Sequence, residues 1–301
     1  MRIFVTGATG FVGSAVVREL IGAGHKVLGL ARSEKGAKEL ATAGAEVQLG
    51  SLEDIESLRS GAAASDGIIH TAFIHDFANY GPAAETDRRA IETLGDALAG
   101  SDRPLLVTSG TLIVRPQGEL ATEADAPTPN FPRKSEEATL ALTSRGVRAC
   151  VIRLSPSVHG EGDHGFVPQL INVAREKGVS AYVADGLNRW PAVHRLDAAR
   201  LYRLALEKAS AGDRYHGVGD EGVSAREIAE VIGRHLNVPV VSKSREEAAD
   251  HFGWIAYFFG MDGPASSALT QQRLGWEPVQ PGLIADLDAG HYFRTVLKKA
   301  V

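Results

Sequence analysis

The segment that most constrains this chain stands at its start, Arg2-Ile-Phe-Val-Thr6-Gly7-Ala-Thr-Gly10-Phe-Val-Gly13. The apolar run Ile3 to Val5 reads as a buried strand, and glycines follow at 7, 10 and 13. Beyond them Val12, Val16, Leu20 and Ala23 recur about every four residues, as on one face of a helix. Strand, glycine turn and helix in direct succession make the first half of a dinucleotide-binding unit. On this reading Gly7 turns the chain off the strand. Gly10 lets backbone N–H groups approach a pyrophosphate, and Gly13 lets the helix lie close to the sheet. The helix N-terminus adds free N–H donors and partial positive charge, so Thr9, Phe11 and Val12 join the expected cofactor contacts. An ordinary glycine-rich turn is the alternative, and the position directly after a strand favours the cofactor.

The rest of the chain is compatible with a globular enzyme. Its 301 residues make one large domain or two smaller ones, with 44% hydrophobic and 23% charged residues. A formal net charge of −5 without a strongly basic stretch argues against nucleic acid as a partner. No apolar run reaches membrane-spanning length, so no membrane association is expected. The chain enters its first strand at once and leaves no room for a signal peptide, which gives a cytoplasmic expectation. The single cysteine, Cys150, lies in an apolar run and reads as a core thiol.

Further strands are expected at 26–31, 45–49, 67–72, 104–108 and 147–154, with helices at 35–42, 52–58, 83–98 and 133–144 between or after them. The alternation predicts an α/β fold, a Rossmann-type doubly wound parallel sheet. Residues 1–155 form the dinucleotide-binding domain and 156–301 mainly a smaller substrate-binding lobe, with segments around 190–220 returning to the first. In the later part, helices are expected at 167–177, 197–207, 225–236 and 283–296, the second opening on Asp197 as a cap. A short strand is expected at 238–241.

Ligands belong at the carboxyl ends of such strands. The candidates there are Arg32 and Ser33, Ser51 and Leu52, Thr71, Ala72 and Phe73, Thr108, Ser109 and Thr111, and Pro156, Ser157 and Val158. Arg32 sits where an acidic residue would bond a ribose 2′-hydroxyl, whereas arginine accommodates a 2′-phosphate. NADP(H) is therefore favoured over NAD(H), with Ser33 assisting.

Four segments in order resemble the extended or atypical short-chain dehydrogenase/reductases, the group of epimerases and dehydratases. They are the glycine motif, Arg153-Leu-Ser-Pro-Ser-Val-His-Gly160, Trp190-Pro-Ala-Val-His194-Arg-Leu-Asp197, and Ser266-Ser267 followed by Arg273-Leu-Gly-Trp-Glu-Pro278. The resemblance implies a serine after the fifth strand and a Tyr-x-x-x-Lys pair. Here the serine position falls on Gly110, between Ser109 and Thr111, and the tyrosine position falls on Asn130, four residues before Lys134. Lysine is kept and the phenol is lost. Asparagine has no acidic proton to replace it. The resemblance implies that Lys134 touches the nicotinamide ribose, while Ser109 or Thr111 hold the substrate oxygen.

A histidine can supply a proton near neutral pH. Of His75, His159, His164 and His194, His159 takes first place because the resemblance sets it at the place of a family tyrosine next to the nicotinamide loop, with a water as the alternative donor. The spacing of these residues makes no zinc set, so no metal is expected. Phe252, Trp254, Tyr257, Phe258 and Phe259 read equally as a lid over a hydrophobic substrate or as core of the smaller lobe. The leading expectation is an NADP(H)-dependent oxidoreductase acting on a carbonyl or alcohol of a small organic molecule, with a homodimer left open. The alternatives are an NAD-dependent sugar-nucleotide epimerase or dehydratase and a non-catalytic dinucleotide sensor.

Overall fold

A computed structural model describes residues 1–76 and 79–294. The strands are β1 (Arg2–Thr6), β2 (Lys26–Ala31), β3 (Glu46–Leu49), β4 (Gly67–His70), β5 (Pro104–Gly110), β6 (Arg148–Leu154), β7 (Ser157–His159), β8 (Ser180–Val183), β9 (Arg189–His194), β10 (Arg214–Gly217), β11 (Asp220–Ser224) and β12 (Val240–Lys243). The helices that bear on the site are α1 (Phe11–Gly22), α2 (Glu34–Thr42), α3 (Ile55–Ala63), α4 (Tyr80–Asp96), α5 (Ser135–Ala141), α6 (Phe166–Lys177), α7 (Arg195–Lys208), α8 (Ala225–Leu236) and α9 (Arg245–Phe252).

Seven strands form one parallel sheet in the order β10-β6-β5-β4-β1-β2-β3. The continuous apolar runs of β1, β5 and β6 follow from burial on both faces. Ile3, Val5, Ile69, Leu106 and Ile152 meet α1 and α7 on one face, and Phe4, Ile68, Leu105 and Val107 meet α3, α4 and α5 on the other. Each such side chain contributes about 1.5–3 kcal/mol on burial. The edge strand β10 (Arg214–Gly217) pairs in parallel with β6.

A second core of Val167, Ile171, Trp190, Ile228, Ile232, Phe252 and Phe259 gathers α6, α8 and α9 with the three-stranded sheet β11-β9-β7 and the parallel pair β12-β8. Phe252 and Phe259 therefore belong to that core, whereas Trp254 and Tyr257 are exposed. Ser224 and Glu227 form a capping box at the start of α8.

Several boundaries differ from the sequence reading. α3 starts at Ile55, behind an Asp54 cap, three residues later than expected. α7 is capped by His194, whose Nδ1 accepts from the Leu196 N–H. Asp197 instead lies buried inside the first turn and accepts the N–H groups of Val279 and Gln280. The strand expected at 238–241 is displaced to Val240–Lys243. The expected helix 283–296 breaks at Gly290, with φ +80°, into Leu283–Asp288 and His291–Arg294; its remaining residues lie outside those described.

Candidate active site

The glycine turn is built as its sequence requires. Gly7 has φ +67°, a left-handed conformation open to glycine, and closes a turn through the Gly10 N–H to its carbonyl at 2.8 Å. A Cβ on Gly13 would stand 2.0 Å from the Gly7 oxygen, so the helix start and the turn touch directly. Gly10 caps α1 with no side-chain bond and no acidic residue in the first turn. The N–H groups of the first turn thus face outward, uncapped, in a positive local field. Phe11 lies over this end of the helix beneath the Arg195 guanidinium, 4.7 Å from the ring centroid. Arg195 bonds the Glu161 carbonyl, while its Nε is buried and without a partner among the described residues. Burial and the charge of Arg18 hold its pKa below the usual value.

Other expected cofactor residues line the same edge of the sheet. Arg32 and Ser33 follow β2 and are exposed. The Ser33 oxygen accepts the Gly36 N–H as the cap of α2, which leaves its proton free to donate. Ser51 follows β3 and accepts the Glu53 N–H, and Leu52 beside it is buried. Thr71 and Ala72 fasten the end of β4 to β1, the first by its hydroxyl to the Thr6 carbonyl at 2.8 Å, the second by its N–H to the Thr6 hydroxyl at 3.4 Å.

The end of β5 is the chemically distinctive place. The hydroxyls of Ser109 and Thr111 are buried there without hydrogen-bond partners among the described residues, and so is that of Ser157 in β7. Thr108 spends its hydroxyl on the His70 carbonyl and the Tyr202 hydroxyl, both at 2.7 Å. Arg133, a residue the sequence reading passed over, donates to the Thr108 carbonyl at 2.8 Å and to the Ser135 hydroxyl at 2.7 Å. Its guanidinium lies 4.1 Å over the ring of Phe73. Lys134 points elsewhere, to Glu137 at 3.0 Å on the outer side of α5. The basic group brought to β5 is therefore Arg133, one residue before the expected one.

The local cause is a turn. Phe131 N–H meets the Thr128 carbonyl at 3.3 Å, and Asn130 has φ +60°. Proline second and asparagine third with positive φ is the pattern of a type II turn, and Pro129-Asn130 was the readable signal for it. Asn130 serves the backbone here, in a conformation that tyrosine adopts poorly.

Beneath Arg133 runs a buried polar chain. Asp87 on α4, wholly buried, accepts from His70 at 3.1 Å and from the Ser135 hydroxyl at 2.5 Å, with Arg133 at 3.8 Å. His70 continues through Nδ1 to the Thr6 hydroxyl at 2.8 Å. That hydroxyl accepts from Ala72, so its proton is assigned to the imidazole and the imidazole's own proton to Asp87. Burial pushes the Asp87 carboxyl up, but the bond from His70, the charge of Arg133 and the Ser135 hydroxyl outweigh it and hold the pKa below the usual carboxylate value. Glu136 anchors the same helix from the other side, accepting from fully buried Arg153 at 2.7 and 2.9 Å and from Arg214 at 2.6 Å.

Against known sequences, the model of the NAD dependent epimerase/dehydratase family matches residues 3–218. The chain belongs to this family. A protein of Schizosaccharomyces pombe bearing only the name of an uncharacterized protein is 54% identical over 97% of this chain and 100% of its own length. A 4-hydroxy-2-methyl-3-oxo-4-farnesyl-3,4-dihydroquinoline-1-oxide ketoreductase of Stigmatella aurantiaca is 29% identical over 84% of this chain and 80% of its own. Among solved structures, a dTDP-glucose 4,6-dehydratase of Streptomyces venezuelae with NAD bound has the same fold, with TM-score 0.79 at 20% identity over 98% and 97% of the two chains.

The cofactor that the epimerase/dehydratase family implies fits the residues present. The uncapped first turn of α1, the open space in front of Gly10 and the unpartnered Arg195 Nε suit phosphates, while the orphaned hydroxyls suit a ribose and a substrate oxygen. His159 keeps its Nε2 buried and without a hydrogen-bond partner among the described residues. It is buried in β7, its Nδ1 held 2.8 Å from Asp286 of the helix Leu283–Asp288, its ring 5.3 Å from that of His194. His164 instead faces Phe11 at 5.8 Å and His75 faces Phe73 at 5.3 Å. Among the described residues no group of three or more His, Cys, Asp or Glu could hold a metal ion, and no helix is long and apolar enough to cross a membrane.

Proposed function

We propose that the protein is an NADP(H)-dependent oxidoreductase that reduces a carbonyl, or oxidises the corresponding alcohol, of a small organic molecule. The observation that carries this reading is the pair of buried hydroxyls of Ser109 and Thr111 at the end of β5, without hydrogen-bond partners among the described residues, with Arg133 on the adjacent Thr108 carbonyl. A buried hydroxyl without a partner costs about 1–3 kcal/mol, which a bound oxygen recovers. A bound nicotinamide would supply or accept the hydride. Ser109 and Thr111 would orient the carbonyl oxygen, and Arg133 rather than Lys134 would hold the ribose. Gly10, Phe11, Val12 and Arg195 would hold the phosphates. The ketoreductase relative, whose named substrate carries a farnesyl chain, supports a carbonyl of apolar character. NADPH oxidation measured against a panel of apolar aldehydes and ketones is expected to find a substrate. Absence of turnover across the panel, with NADPH still bound, favours the sensor reading, which the missing phenol at Asn130 supports.

NADPH preference rests on Arg32, exposed after β2 and free of ion pairs among the described residues. A charge-assisted contact to a 2′-phosphate contributes about 1.5–3 kcal/mol, roughly ten- to a hundredfold in affinity. Fluorescence titration of parent and Arg32→Ala should show NADPH binding weakened by that factor and NADH binding unchanged. Equal affinities of the parent for the two cofactors would sink the assignment.

A further inference from the structure

A phenol stands beside the place that position 130 leaves without one. Tyr80 opens α4, partly buried, with its ring centroid 5.8 Å from that of Phe73 and 6.1 Å, edge to face, from that of Phe131. Phe73 carries the Arg133 guanidinium on its face, and Phe131 directly follows Asn130. Tyr80 thus joins the loop after β4 to the turn before α5, whose Arg133 lies on the Phe73 ring and donates to the carbonyl of Thr108, the residue before Ser109. Asn130 cannot serve as an acid, and its positive φ commits it to the turn. His159 is held by Asp286 through Nδ1, with its Nε2 unpartnered among the described residues.

We propose that Tyr80 is the catalytic acid, giving from α4 the proton that the family's tyrosine would give from position 130. The proposal rests on the reductase reading above. In the reduction, the Tyr80 O–H bond breaks and its proton joins the carbonyl oxygen, while the carbonyl carbon takes a hydride from a reduced nicotinamide dinucleotide. The C=O π bond becomes one C–H and one O–H bond, the dinucleotide is left oxidised, and water reprotonates the phenolate. Among the described residues, Arg133 from the turn before α5 and Asp87 from α4 itself act on the phenol, and His75 from the loop after β4 packs on the same Phe73 ring. Burial raises the phenol's pKa, Arg133 lowers it and Asp87 raises it, with a net upward shift that keeps it protonated at neutral pH.

Tyr80→Phe keeps the ring that packs on Phe73 and Phe131 and removes only the acid. With a carbonyl compound that the parent reduces, kcat should fall by about 10²–10⁴-fold while the dissociation constant for NADPH stays at the parent value. An undiminished kcat overturns the proposal. A second measurement needs no substrate: the phenolate absorbance of the parent minus that of Tyr80→Phe, titrated against pH with and without NADP⁺. The positive nicotinamide ring should move the Tyr80 ionisation to lower pH, and a titration that does not move overturns its place at the site. No turnover by the parent with any carbonyl compound removes the reductase reading and the donor role together, and the titration still decides whether Tyr80 faces the dinucleotide.

Discussion

Gly10→Val should fold like the parent and lose its dinucleotide. Gly10 has an ordinary extended backbone, φ −74° and ψ 174°, which valine adopts readily. A Cβ there meets only the Gly7 oxygen, at 3.1 Å, so a few tenths of an ångström of movement accommodate it. The branched side chain would then occupy the space in front of the uncapped first turn of α1. Two charge-assisted N–H bonds to phosphate, each worth about 1.5–3 kcal/mol, would no longer form, and the dissociation constant should rise by roughly 10²–10⁴-fold. The neighbouring glycines cannot make this separation. Gly13→Ala drives a methyl to 2.0 Å from the Gly7 oxygen, and Gly7→Ala combines φ +67° with a contact of 2.7 Å to the Ala72 nitrogen. Both should lower the melting temperature as well. NADPH titration and thermal unfolding of the three variants check the contrast. A Gly10→Val protein that binds NADPH as tightly as the parent would place the phosphates elsewhere.

The part of the fold most plainly legible in the sequence is the part built on unbroken apolar runs. β1, β5 and β6 are buried on both faces, and their apolar runs end in glycine or hydroxyl residues where the chain turns. The strands β7 to β11 escaped because they are short and carry polar or mixed residues such as His159, Arg189 and His194, with pairing that switches from parallel to antiparallel across β9. The glycine turn was legible because its chemistry lies in the backbone, which glycine spacing reports. The β5 end was legible only in part. Ser109 and Thr111 could be placed by counting from the strand, but which of two adjacent basic residues turns inward depends on the Thr128–Phe131 turn. Tyr80, Arg195 and Asp87 were missed because each gains its place through contacts from distant segments, to Phe131, Phe11 and His70 respectively. A polar residue in mid-helix, like Asp87, reads as surface until its partners are known.

Asp87→Ala should be the most destabilising single change among the polar residues of this site. The carboxylate is wholly buried and takes bonds from His70 and Ser135, with the Arg133 charge 3.8 Å away. Its removal leaves the His70 N–H unpaired in the core and Arg133 without its buried counter-charge. Breaking a buried pair from one side costs about 3–5 kcal/mol, a large share of the roughly 5–15 kcal/mol that holds a domain together. Asp87→Asn keeps one acceptor and the volume, so it should cost less while loosening Arg133 from the end of β5. The two variants also fix the sign of the pH dependence. The folded pKa of Asp87 lies below its unfolded value of about 3.9, so its ionisation stabilises the fold above that pH. The contribution is lost as pH falls through the lower, folded value. Urea unfolding should therefore show parent and Asp87→Asn far apart at neutral pH and converging in acid below about pH 4. Equal stability at neutral pH would mean that the buried carboxylate is not ionised against Arg133 and His70, and that Arg133 is held at the end of β5 by Thr108 and Ser135 alone.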